Sequence, residues 1–274
     1  MRTAIIGCGS MGLTYARSFL QFNLVSREHL LLVAKNETHR KQLKKLNLGK
    51  TVSKIDKRLR EYGIIILSVK PQDFPSITEP LKKAIAPHHV VLSVMAGVTI
   101  ETIQKSLNHK IVIRAMPNTP AQLGMGVTAF TASKDVNIHQ VSIIENLLST
   151  TGRTIFLEKE NLLDAVTALS GSGPAYFFYV VKCMIEAGVK MGLEESVASM
   201  LVKQTMLGSF HLMNQSPYSI EELIQAVASR GGTTEAAFKV LEENHFEPTL
   251  IKAIEVARDR ATELSHLFNH SSDK

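Results

Sequence analysis

Thr3-Ala-Ile-Ile-Gly7-Cys-Gly9-Ser-Met-Gly12 joins a short apolar run to three glycines in the spacing Gly-x-Gly-x-x-Gly. Directly behind it, Leu13, Ala16, Phe19 and Leu20 recur at helical spacing. A strand, a glycine turn and a helix thus follow in that order. In this context Gly7 permits a tight turn, Gly9 lets backbone approach a pyrophosphate, and Gly12 lets the helix pack closely on the strand. Cys8 reads as a small buried residue within the turn.

The alternation continues outward from this stretch. Leu30–Ala34 reads as a second strand, Glu37–Leu46 as a charged helix, and Ile64–Ser68 as the continuous aliphatic run of a central parallel strand buried on both faces. Next come a helix from Phe74 to Ala86, a strand at Val90–Val94, a helix at Ile100–Leu107 and strands at Ile111–Ala115 and Gly126–Thr131. A helix at Ile138–Thr150 leads to a last strand, Thr154–Leu157. Strands alternating with short helices predict a doubly wound sheet, an α/β dinucleotide-binding domain over residues 1–158.

After Leu157 the pattern changes. Glu160–Leu169 is helical, Ser170-Gly-Ser-Gly173 breaks the chain, and Pro174 suits the first turn of a helix that runs to Met191, with Gly192 as its C′ residue. From Ala175 to Ala187 that helix is apolar almost all round, so most of its sides have to be covered. Further helices at Glu194–Met213, Ile220–Ala228, Thr233–Glu243 and Pro248–Phe268 make residues 159–274 an all-α domain, one that completes its core against a partner subunit. The polar tail Asn269–Lys274 reads as frayed.

Composition excludes several classes. A chain of 274 residues with 45% apolar and 20% charged residues is long and apolar enough for two folded domains. No window reaches the roughly 20 apolar residues of a membrane-spanning helix, and the first residues lack a secretory h-region. The two cysteines, Cys8 and Cys183, make neither a disulfide framework nor a metal spacing, so a reducing cytoplasm and no metal are expected. Ten of the 31 Lys and Arg residues fall between Lys35 and Arg60, against only Glu37 and Asp56. Without aromatic residues to stack bases, this run reads as the solvated faces of two short helices rather than a nucleic-acid surface.

Three sets of residues carry chemistry. A ribose with a free 2′-hydroxyl calls for Asp or Glu at the end of the second strand. That strand instead ends Val33-Ala34-Lys35-Asn36, with Arg40 and Lys41 beyond, which welcomes a 2′-phosphate and favours NADP over NAD; Glu37 is the residue that contests it. Val69-Lys70-Pro71, Ala96-Gly97 and Pro117-Asn118-Thr119-Pro120 follow successive strands at the sheet edge where ligands of open α/β sheets bind. Singly they are routine turns; together they line a rim that suits a flat nicotinamide. In the helical half, Ser229-Arg-Gly-Gly-Thr-Thr-Glu-Ala-Ala-Phe238 puts two glycines and two hydroxyls at a helix start, a combination that suits a small carboxylate. A glycine loop before an ordinary N-cap is the plain alternative.

Gly7-Cys-Gly-Ser-Met-Gly12, Val69-Lys-Pro71, Ala96-Gly-Val-Thr-Ile100, Arg114-Ala-Met-Pro-Asn-Thr-Pro120, Leu169-Ser-Gly-Ser-Gly-Pro-Ala-Tyr176 and Gly231-Gly-Thr-Thr234 resemble, in order and spacing, the pyrroline-5-carboxylate reductases. The resemblance runs from Met1 to about Leu267. It implies NAD(P)H-dependent reduction of Δ1-pyrroline-5-carboxylate to L-proline, the last step of proline synthesis. It also implies a Rossmann domain followed by a helical dimerisation domain interleaved with its twin, an active site shared across the dimer, and higher assemblies such as decamers. By position, Ile6, Gly7, Cys8, Gly9, Ser10 and Met11 are similar to the pyrophosphate loop. Asn36, next to Lys35, corresponds to the adenosine ribose region, and Val69, Lys70, Pro71 and Ala96 to the nicotinamide side. Thr234 resembles the catalytic hydroxyl on the substrate ring nitrogen, Thr233 with the Gly231 and Gly232 backbone the carboxylate cradle, and Glu160 a position of substrate or cofactor contact. Arg230 and Gly63 depart from the family pattern, where Pro or Lys and Asp are usual. Two other readings stay open here: a related β-hydroxyacid dehydrogenase, for which Lys182 and Lys190 lack the flanking motif, and a fold-retaining regulator or redox sensor without turnover.

Overall fold

A computed structural model describes residues 1–270. Two compact units divide the chain: Met1–Ser172 together with the segment from Ala257 onward, and Gly173–Val256. This differs from a division at residue 158. Residues 159–172 cluster with the sheet because Glu160 and Asp164 pair with Arg114, and the end of the last helix joins them through Thr262 Oγ1, which donates to Asp164 Oδ2 at 3.1 Å.

The first unit is built on β1 (Thr3–Ile6), α1 (Ser10–Gln21), β2 (Leu30–Val33), α2 (Glu37–Leu46), β3 (Lys50–Val52), β4 (Ile64–Leu67), α3 (Phe74–Ala84), β5 (Val90–Ser93), α4 (Ile100–Leu107) and β6 (Val112–Met116). β7 (Gly126–Ala132), α5 (Ile138–Ser149), β8 (Gly152–Phe156) and the short α6 (Leu162–Val166) complete it. The strands form one sheet in the order β3-β2-β1-β4-β5-β6-β7-β8. All neighbours run parallel except β6 and β7, where Ile113 pairs with Ala132 in antiparallel register. The connection between those two holds only the 3-10 turn Thr119–Leu123 and is too short for a parallel crossover, so the chain turns back.

Alternation of side chains along each strand divides the core between two faces. Ile5, Leu32, Ile66 and Leu92 pack with Tyr15, Phe19, Leu147 and Leu148 on one side. On the other, Ile6, Leu31, Ile65 and Val91 pack with Leu59, Phe74, Leu81 and Ile103. Both faces being covered, β1, β2, β4 and β5 are wholly buried and, apart from Thr3 and Ser93 at strand ends, apolar throughout.

The basic stretch is not two helices. Only α2 is helical over ten residues; β3 and a 3-10 turn at Lys57–Glu61 follow it. β3 is an edge strand of three residues in which Val52 alone is buried, too short to display a period, and its Lys50 marks a guarded edge. The expected break at Ser170–Gly173 is a single π turn, Thr167–Gly171, closed by Ser172 N–H donating to Thr167 O at 2.9 Å. Thr167 Oγ1 donates back to Leu163 O at 2.7 Å, which loosens the regular ladder there.

The second unit is helical: α7 (Gly173–Lys190), α8 (Glu195–Gln215), α9 (Ile220–Val227), α10 (Thr233–Glu243) and the first half of α11 (Phe246–His270). Gly188 lets α7 and α8 approach, since a Cβ there would lie 2.9 Å from Ala198 Cβ. The unit has little interior of its own. Phe178 is 69% exposed, Met200 62% and Phe210 50%. No helix among the described residues is long and apolar enough to cross a membrane. The last residues of the polar tail, 271–274, lie outside the described residues.

Candidate active site

The order of the strands puts the glycine loop beside the point where the winding reverses, between β1 and β4. Gly7 has φ +91°, and a Cβ there would lie 2.6 Å from Ser68 C and Val69 N at the end of β4. At Gly12 a Cβ would lie 2.2 Å from Gly7 O, so only glycine lets α1 start this close to its own strand. Gly9 differs: a Cβ would meet nothing within 4 Å. The loop is therefore closed at Gly7 and Gly12 and open at Gly9, where backbone faces a cavity.

That cavity has a volume of about 900 Å³. Ile6, Gly7, Cys8 and Gly9 line one side, Lys35 and Asn36 another, and Val69 and Lys70 a third. Other residues singled out from sequence lie elsewhere. Ser10 Oγ accepts from Gln122 Nε2 at 2.9 Å beside a separate, smaller cavity, and Met11 packs against the core. Pro71 opens a 3-10 turn that leads into α3, and Ala96 sits half-buried in the loop between β5 and α4. His39, Ser53 and Lys54 also line the cavity and escaped the sequence reading, because the last two follow the unread strand β3.

The donor set fits a dinucleotide phosphate. α1 has no side-chain N-cap and no acid in its first turn, so its leading N–H groups and the positive end of its dipole remain for an anion. Glu37, which contests a 2′-phosphate in the sequence, does not line the cavity and its Oε1 pairs with Lys41 Nζ at 3.0 Å; the carboxylate among the lining residues is Asp73, after β4. Arg40 is less free than its charge suggests, since Nη1 donates to Ala34 O at 3.1 Å and also to Lys35 O, bracing the end of β2. Asn36 caps α2, its Oδ1 accepting from His39 N–H at 2.9 Å. The lysines of the cavity wall, Lys35, Lys54 and, on the β4 side, Lys70, are exposed. Burial pushes the Cys8 thiol up to about 12, although Val33 O, 3.8 Å from the sulfur, opposes the rise.

Glu160 is half-buried and engaged. Its Oε1 accepts from Ile100 N–H at 2.8 Å and from Arg114 Nη1 at 2.9 Å. In the helical unit, Gly231 has φ +75°, and its N–H donates to Glu235 Oε2 at 2.6 Å. Gly232 N–H donates to Ser229 O at 3.0 Å. Both glycine amides of the expected carboxylate cradle thus have partners inside the loop. α10 has no side-chain cap, and its first backbone bond runs from Ala236 N–H to Gly232 O, which leaves the N–H groups of Thr233, Thr234 and Glu235 outside the helix ladder. Arg230 is exposed, and nothing in the structure requires glycine at Gly63. Lys182, the alternative catalytic lysine, is an exposed partner of Glu186 at 3.1 Å.

A doubly wound sheet with an open glycine loop and a cationic ribose pocket defines an NADP-dependent oxidoreductase. Residues 2–97 match the family described as NADP oxidoreductase coenzyme F420-dependent, and residues 160–264 that described as pyrroline-5-carboxylate reductase dimerisation. Pyrroline-5-carboxylate reductase 2 of Bacillus subtilis is 34% identical over 97% of this chain and 96% of its own. Pyrroline-5-carboxylate reductase of Pseudomonas aeruginosa is 39% identical over 74% of each. The crystal structure of Plasmodium falciparum pyrroline carboxylate reductase with NADP bound superposes with a TM-score of 0.87 at 26% identity, covering 97% of this chain and 98% of that one. The chain belongs to the pyrroline-5-carboxylate reductase family.

Proposed function

We propose that the protein reduces Δ1-pyrroline-5-carboxylate to L-proline with NADPH, as the final step of proline synthesis. The observation that carries the cofactor half is the loop open only at Gly9, facing a cavity walled by Lys35 and Lys54. Bound there, the cofactor would supply hydride to the imine carbon. The chain's own part is to hold and orient. Gly9 backbone and the α1 N-terminus take the pyrophosphate, Lys35 with Asn36 the phosphorylated ribose, and Val69–Pro71 with Ala96 the nicotinamide side. Residues 1–158 are the cofactor domain in this reading, and those that follow serve dimerisation and substrate.

The substrate carboxylate is taken by the start of α10. With the Gly231 and Gly232 amides engaged inside the loop, the anion is met by the Thr233, Thr234 and Glu235 N–H groups and the Thr233 hydroxyl, and the glycines shape the turn. A threonine hydroxyl is too weak an acid to serve as general acid near neutral pH. Thr234 therefore orients the ring nitrogen by a hydrogen bond, while the iminium or a water provides the proton. Substituting Thr234→Ala should lower kcat/KM about tenfold to a hundredfold, the worth of one hydrogen bond to a nitrogen whose charge changes as hydride arrives, with NADPH affinity unchanged. An unchanged kcat/KM would remove Thr234 from the mechanism. NADPH oxidation that depends on added pyrroline-5-carboxylate, followed by absorbance, tests the whole reading.

The protein acts as a homo-oligomer. The apolar faces left bare on α7 and α8, and the match to a dimerisation family, support a homodimer as the minimum, with a decamer among the larger states that sedimentation would resolve. Two cysteines without a disulfide accord with a cytoplasmic setting.

A further inference from the structure

A buried arginine in a strand hydrogen-bonded on both sides needs a reason. Arg114 sits in the middle of β6 with its side chain 4% exposed, flanked by Ile113 and Ala115. Buried ion pairs add little net stability compared with well-packed apolar residues, so stability alone is a poor account of it. Its surroundings suggest another. Arg114 is in register with Ser93, the last residue of β5, from which the loop 94–99 departs. Ser93 Oγ accepts from Met95 N–H at 3.3 Å, which fixes the first bend of that loop. The loop re-enters regular structure at Ile100, whose N–H donates to the same Glu160 oxygen that receives Arg114. Asp164 Oδ1, 3.6 Å from Arg114 Nη2, supplies the second counter-charge. One guanidinium therefore lies next to the point where the loop leaves the sheet and, through a single carboxylate oxygen, holds the point where it returns. Between the two, Met95 and Val98 are buried and Gly97 takes φ +73°, so the half-buried Ala96 has little freedom to adjust.

We propose that Arg114, acting through Glu160, is a positioning residue for hydride transfer: the pair fixes the Ala96 loop against which the nicotinamide lies. Glu160 thereby serves the nicotinamide pocket through Ile100 without touching the substrate. The proposal rests on reading loop 94–99 as the nicotinamide wall. It assigns a role to a charge cluster that includes no residue of the glycine loop.

The test compares two ligands on the full-length protein: NADP⁺, and 2′-phospho-ADP-ribose, which is NADP⁺ without its nicotinamide. Both occupy the Gly9 and Lys35 half of the cavity, and only NADP⁺ reaches the loop. In Glu160→Ala the dissociation constant for NADP⁺ should rise about tenfold while that for 2′-phospho-ADP-ribose stays within about twofold. Glu160→Gln, whose amide oxygen still accepts from Ile100 and Arg114, should restore most of the difference. If Glu160→Ala does not fold, Arg114→Lys keeps the buried charge without the guanidinium fork and carries the same comparison. Equal weakening of both ligands, or no weakening of NADP⁺, overturns the proposal. A parent protein that binds NADP⁺ yet leaves pyrroline-5-carboxylate unreduced is a failure of the substrate reading alone, and the ligand comparison still decides the role of the pair.

Discussion

Gly9→Ala separates folding from cofactor binding more cleanly than any other change in the loop. Gly9 has φ −68° and ψ −161°, backbone that alanine adopts without strain. The added methyl meets nothing within 4 Å, so the folded protein gains no clash. Removing a glycine from the unfolded chain should raise stability by about 0.4–1 kcal/mol. If the pyrophosphate approaches Gly9 as proposed, the same methyl stands in its way, and forcing a methyl into an occupied contact costs about 1–3 kcal/mol. NADPH should therefore bind roughly fivefold to 150-fold more weakly to a protein that unfolds at the same temperature or slightly higher. Gly12→Ala should behave in the opposite way. Its methyl would sit 2.2 Å from Gly7 O, a backbone atom with no side chain to move aside, so the fold itself loses stability. Thermal unfolding without ligand and a fluorescence titration with NADPH measure the two quantities independently. Gly9→Ala protein that binds NADPH as tightly as the parent would refute the assignment of this loop to the pyrophosphate.

Two further outcomes follow from the cavity wall and from the opposite end of the sheet. Replacing Lys35 and Lys54 together by alanine should lower kcat/KM for NADPH about tenfold or more and leave NADH within about threefold, since each lysine is worth a charge-assisted contact only to the 2′-phosphate; an equal fall with both cofactors would place that phosphate elsewhere. His89 is fully buried, and burial, with His88 and His109 as neighbours, lowers its pKa from 6.5 to about 4. The unfolded chain therefore takes up the proton first, and stability falls as pH drops from about 6.5 to about 4, by on the order of 3 kcal/mol, and levels off below that. Urea unfolding across this range should be less steeply pH-dependent in His89→Gln, and an identical pH profile would show that His89 is not the titrating group.

What the sequence made legible was what depends on short-range pattern. Ile64–Leu67 is apolar without interruption because both of its faces are covered, and Gly7, Gly9 and Gly12 carry a spacing that only one local geometry explains. β3 was hidden because three residues, two of them not buried, cannot display a period. The Ser170–Gly173 segment read as a break from its composition, yet a π turn absorbs it within a helical course. Arg114 was visible as the first residue of the Arg114–Pro120 motif but carried no role there; its meaning depends on Glu160 and Asp164, far along the chain. In the Gly231 loop the residues were visible but not their bonds, and whether an amide is available to a ligand depends on Glu235 turning back to meet it.

Cys8 sits in the middle of the glycine loop, against the cavity proposed for the cofactor, where a reactive sulfur would be a hazard to the enzyme. Burial pushes its thiol up to about 12, far above neutral pH, so the thiol form prevails there. Peroxides and electrophiles attack the thiolate, and the side chain is 2% exposed in any case. The loop is therefore chemically silent. A reductase built this way keeps the sulfur beside its cofactor cavity out of reach while the redox state of its surroundings swings; the exposed thiol of the chain is Cys183, on α7.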